Sequence, residues 1–92
     1  MSISTSDRGR VLIVDDDRKI LDLLVDLLEL EGYVVTTAAD GAEAIDLALS
    51  FHPDIVVSDV VMPLVGGLEL CRRLKEDSRT TDVPVLLISG LI

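Results

Sequence analysis

Val11-Leu12-Ile13-Val14 is apolar without a break and then stops at three consecutive acids, Asp15-Asp16-Asp17. A strand with one wet face alternates polar and apolar residues. An unbroken aliphatic run instead fits a strand buried on both faces, as in a parallel sheet covered by helices. The pattern returns in Asp54-Ile55-Val56-Val57-Ser58, which ends at Asp59, and in Pro84-Val85-Leu86-Leu87-Ile88, which ends at Ser89-Gly90. Tyr33 to Ala38 adds a strand rich in β-branched residues, Val34, Val35, Thr36 and Thr37.

The stretches between these runs carry helical periodicity. Arg18 to Glu31 is dense in Leu and Ile, with Asp22, Asp26 and Glu29 at spacings of four and three forming one solvent stripe. Asp17 is placed to cap its start, and Gly32 to end it in a left-handed turn. Asp40-Gly41-Ala42-Glu43 is a capping-box pattern opening a second helix, with Ala44, Ile45, Ala48 and Leu49 on one face. Phe51-His52-Pro53 breaks that helix. Leu68 to Lys75 reads as a third, with Leu70, Cys71 and Leu74 facing inward, and with Glu69 able to pair with Arg73. The order is β-α-β-α-β-α-β, four strands and three helices. Alternation of this kind gives an α/β fold with a parallel sheet and right-handed crossovers.

Ninety-two residues allow one small domain, and an apolar content of 49% with only 2% aromatic residues makes its core aliphatic. A net charge of −9 argues against direct binding to nucleic acid or to an anionic membrane. The single Cys71 allows no internal disulfide. No apolar run is long enough to span a membrane, and Met1 to Gly9 lacks the apolar region of a signal peptide. The expected setting is cytoplasmic, with residues 1–9 as a flexible leader.

Parallel strands place their carboxyl ends on one edge, where open α/β sheets bind ligands. Asp15, Asp16, Asp59 and Ser89 all fall there. If the first and third strands are neighbours, three carboxylates converge. They then share a proton or hold a divalent cation, and hard oxygen donors at a wet edge favour Mg²⁺ or Mn²⁺ over Zn²⁺. The plainer alternative has the first acids capping the helix and Asp59 opening a turn. Two separate acidic strand ends favour the cation.

These residues carry a resemblance. Val11 to Asp17, followed by Asp59-Val60-Val61-Met62-Pro63-Leu64-Val65-Gly66-Gly67, looks like the receiver domain of two-component response regulators. Asp40-Gly41 and Ala44 also follow that family, and the likeness extends over 10–90. It implies a flavodoxin-like, doubly wound sheet with strand order 2-1-3-4. By the resemblance, Asp59 is the phosphoacceptor, served by a sensor histidine kinase, a phosphotransfer protein or a small phosphodonor. Asp16 is then a direct Mg²⁺ ligand, Asp15 a ligand directly or through water, and Val61 a ligand through its backbone carbonyl. Ser89 hydrogen-bonds the phosphoryl group and acts as the switch, and Gly90 leaves room beside it. Met62 packs over the site, while Pro63 and Gly67 shape the loop around it. Ile20, Leu21 and Leu24 are candidate kinase contacts. The chain is then a signalling domain rather than an enzyme acting on other molecules.

The likeness also implies parts with no counterpart here: a further helix, a fifth strand ending in a phosphate-binding lysine, and a last helix. Residues 10–92 are therefore expected to form an incomplete receiver. Lys75 and Arg79 lie away from the carboxyl edge and do not replace that lysine. Weak or uncoupled phosphorylation is expected, as is self-association through the fourth-strand edge or the uncovered sheet face. The alternative function is a receiver-like interaction module that is not productively phosphorylated. A phosphohydrolase ranks lower, because Val61 stands where its second acid belongs. The absence of a Gly-rich loop after the first strand disfavours a nucleotide-binding sheet.

Overall fold

The computed structural model describes residues 8–89. Its elements are β1 (Arg10–Val14), α1 (Arg18–Leu30), β2 (Val34–Ala38), α2 (Gly41–Phe51), β3 (Ile55–Asp59), α3 (Gly67–Glu76) and β4 (Val85–Ile88). The strands form one parallel sheet in the order β2-β1-β3-β4. The expected architecture is thus borne out, with boundaries displaced by a residue or so. Asp59 is the last residue of β3 rather than the first of the loop, and Asp54 falls outside the strand.

Alternate residues of the strands feed two cores. Leu12, Val14 and Val56 point to one face, where they pack with Ala44 and Ala48 of α2, Leu70 and Leu74 of α3, and Met62. Val11 and Ile13 point to the other face, against Leu21 of α1, with Leu24, Leu28, Val35, Ile55 and Val57 around them. Each fully buried aliphatic side chain stabilises the fold by about 1.5–3 kcal/mol. The second face is covered unevenly. The helix α1 lies against β1 and β2, and Leu86 on β4 keeps 51% of its surface exposed.

The helix ends follow local chemistry. Asp17 accepts from the amides of Lys19 at 2.9 Å and Ile20 at 3.4 Å. Gly32, at φ +95°, follows the C-cap of α1 and fills the left-handed position. Asp40 accepts from the amide of Glu43 at 2.8 Å, and the Glu43 carboxylate reaches back to the amide of Ala39 at 2.8 Å. The reciprocal bond therefore lands one residue before the cap. At the end of α3, the buried Thr80 hydroxyl donates to the Leu74 carbonyl at 2.7 Å, closing an orphan carbonyl.

Three expectations change. Leu21 is 4% exposed and belongs to the core, so it is no surface for a kinase. In a helix so rich in leucine, the flank that meets the sheet is set by tertiary contact rather than by periodicity. Cys71 is half-buried instead of core. Arg8 and Gly9, assigned to the leader, are tied down: the Arg8 amide donates to the Gly32 carbonyl, and the Val34 amide to the Gly9 carbonyl, both at 2.9 Å. Residues 1–7 and Gly90 lie outside the described residues.

Candidate functional site

The parallel register assembles the site. Val14 pairs with Ser58, so the residues that follow, Asp15 and Asp59, emerge side by side. The Asp15 amide donates to the Ala38 carbonyl at 3.1 Å, which carries the β1–β2 pairing one residue past the strand. One carboxylate oxygen from each of Asp15, Asp16 and Asp59 lies within 4.8 Å of the others. Asp15 is only 2% exposed, Asp59 is half-buried and Asp16 is open to solvent.

Burial pushes the Asp15 carboxyl above its ordinary value. The Asp17 amide, donating to Asp15 Oδ1 at 2.8 Å, opposes the shift, while the charges of Asp59, Asp16 and Asp17 add to it. A dry carboxylate beside two others is stabilised by a proton or by a cation. The oxygen-only donor set, open on the Asp16 side, fits a hard divalent ion. Asp17 is turned to helix capping, as expected.

Below and beside Asp59 the chain is tightly held. Ser58 is fully buried, and its hydroxyl donates to the Asp59 carbonyl at 2.9 Å. This residue was missed in the sequence, although a polar residue just before the strand-end acid was a signal for it. The Val60 amide donates to the Ile88 carbonyl at 3.1 Å, and the Gly67 amide to the Val60 carbonyl at 2.9 Å. A side chain at Gly67 would run into the Asp59 carbonyl, so only glycine fits there. Met62 is buried in the core, while the Val61 side chain is exposed and leaves its backbone to do any work at the site. Leu64 sits at φ +66° and is 89% exposed.

Ser89 follows Ile88, the partner of Asp59 in the register, and is exposed at the same edge. Lys75 and Arg79 are elsewhere. Lys75 Nζ donates to the carbonyls of Thr81 at 3.3 Å and Val83 at 2.7 Å, before β4 begins. Arg79 pairs with Asp77 at 2.7 Å. Among the described residues, no helix is long and apolar enough to cross a membrane.

Comparison with known proteins bears on this geometry. Residues 11–91 match the family model of the response regulator receiver domain. Among relatives, the DNA-binding dual master transcriptional regulator RpaA of Synechocystis is 44% identical over 82 residues, 89% of this chain and 34% of that protein. The response regulator MprA of Mycolicibacterium vanbaalenii is 48% identical over 81 residues, 88% of this chain and 34% of that protein. The chain thus spans about a third of the length of these relatives. Among solved structures, the N-terminal domain of a response regulator receiver protein from Methanoculleus marisnigri superposes with a TM-score of 0.85 at 37% identity, over 88% of this chain and 66% of that one. Chemotaxis protein CheY4 of Vibrio cholerae gives 0.82 at 37% identity, over 86% and 66%.

Proposed function

Because this chain belongs to the response regulator receiver domain family, we propose that Asp59 is its phosphoacceptor in a two-component relay, fed by a histidine kinase or phosphotransfer protein in the cytoplasm. The observation that carries the reading is the meeting of three acidic oxygens within 4.8 Å at adjacent strand ends. A carboxylate oxygen of Asp59 attacks the phosphorus of a phosphohistidine. The new P–O bond forms as the P–N bond breaks, and the imidazole leaves with its electron pair. Asp15, Asp16 and Asp59, with the carbonyl of Val61, would hold Mg²⁺. When bound, the ion supplies positive charge to the phosphoryl oxygens. Asp15 is a suitable ligand because burial makes its unpaired charge costly. Ser89, one residue past the partner of Asp59, would donate its hydroxyl to a phosphoryl oxygen and so report phosphorylation to the chain that follows.

The experiment is incubation with Mg²⁺ and acetyl phosphate, read by intact mass. The parent should gain one phosphoryl group and Asp59→Ala none. A parent that gains nothing, and does not bind beryllofluoride, would instead support the interaction-module reading. The complete acidic set favours the phosphoacceptor.

We also propose that this chain self-associates through the half-covered sheet face or the β4 edge. Leu86 is exposed on that face, and among the described residues β4 pairs only with β3. Unpaired edges template association. Sedimentation at micromolar concentration should show dimers or larger species; a lone compact monomer would remove this proposal.

A further inference from the structure

The loop that follows Asp59 is held at three points, and one of them lies on a different unit of the fold. Its base is closed by the Gly67 amide on the Val60 carbonyl. Met62 anchors it in the core. Val65, half-buried against that core, presses on Gly41, the first residue of α2. A Cβ built on Gly41 would lie 2.6 Å from Val65 Cβ, Cγ1 and carbonyl oxygen alike. Because one of those atoms is backbone, no rotamer change at Val65 would make room; the loop itself would have to move.

Gly41 is a firm surface to press on. It is buried, and the bonds exchanged by Asp40, Glu43 and Ala39 fix the turn around it. The loop, by contrast, has reason to move. Between Met62 and Val65 the chain passes through Leu64 at φ +66°, which an L side chain adopts only at a cost. The Met62 and Val65 anchors hold that strained bend in place.

We propose that Gly41 and Val65 form a positioning contact that sets the Val61 carbonyl against the three acids and so governs divalent-cation affinity. The proposal rests on the site reading above, in which that carbonyl is a ligand. It assigns Gly41 a role at the site, although the residue lies outside the acid cluster. Groups that orient ligands typically change metal affinity by about 10–100-fold when altered.

The test is Mg²⁺ titration of the whole chain by calorimetry, with amide hydrogen exchange of the metal-free chain alongside. The parent should bind Mg²⁺; if it does not, the site reading fails, whatever the contact does. Gly41→Ala pushes the loop away, and Val65→Ala leaves it unanchored. Both should weaken Mg²⁺ binding by about tenfold, and both should speed exchange at the Gly67 amide before any ion is added. Leu28→Ala, on α1 and packed against the other core, lowers stability without disturbing the core that anchors the loop. It should leave Mg²⁺ affinity within about twofold, as expected for independent sites. If Gly41→Ala fails to fold, Val65→Ala carries the test alone. Parent-like affinity and parent-like exchange in Val65→Ala would overturn the proposal. So would equal losses in Val65→Ala and Leu28→Ala, because general destabilisation would then account for both.

Discussion

At the carboxyl end of the sheet, Asp15, Asp16 and Asp59 face one another. At the amino end, acids meet donors. Asp54 accepts from the Arg10 amide at 2.8 Å, and the Asp54 amide donates to the Arg10 carbonyl at 2.7 Å. The Arg10 guanidinium donates to the Phe51 carbonyl at 2.9 Å and sits 4.1 Å above the Phe51 ring. Asp77 is clasped by Arg79, which lowers its carboxyl to about 2. The Asp15 carboxyl moves the other way. The same residue type is therefore stabilised as an anion at one end and crowded as one at the other. Charge is left unbalanced where a cation and a phosphoryl group are proposed to be handled.

The largest effect expected of this contrast is at Asp15. Asp15→Asn should weaken Mg²⁺ binding by about a hundredfold, at the upper end of what altered ligand surroundings cost. It should also raise the urea midpoint of the metal-free chain, because it removes a buried charge. The pH dependence has a definite sign. A carboxyl whose folded-state value is raised favours folding while protonated. Metal-free stability should therefore decline as pH rises from the ordinary aspartate value through the raised Asp15 value. Asp15→Asn should flatten that decline. The Asp77 contribution is lost only as pH falls toward about 2. A midpoint unchanged by Asp15→Asn at neutral pH would erase the contrast.

A middle-sized effect is expected at the other end. Arg10→Ala removes the ring contact and the bond to Phe51, and should cost about 1–2 kcal/mol in urea unfolding. Mg²⁺ affinity should stay at the parent value. A change in Mg²⁺ affinity would mean that the two ends are coupled through the sheet. The smallest effect is at Leu64. Leu64→Gly relieves the left-handed backbone and should gain about 1 kcal/mol, less the added freedom of the unfolded chain. Loss of stability would show that the added freedom of the unfolded chain outweighs the relieved strain.

What could be read from the residues followed the range of the interactions. Asp17 and Asp40 were recognisable as caps because their partners lie within four positions. The acid cluster was recognisable because parallel strands align their ends whatever their distance in the chain. Leu21 was misplaced because leucines populate several flanks of α1, and only the sheet decides which is buried. The Lys75 bonds to Thr81 and Val83, and the pressure of Val65 on Gly41, carry no periodic signal. They arise where separate loops meet, and composition does not encode that. The order of the strands came from the family likeness.

The dry Asp15 carboxylate has one further consequence. A group that burial biases toward its protonated form hands its proton to solvent when a cation takes its place. If Mg²⁺ binds as proposed, it and a proton compete for the same carboxylate, so affinity should fall as the solution is acidified through the raised Asp15 value.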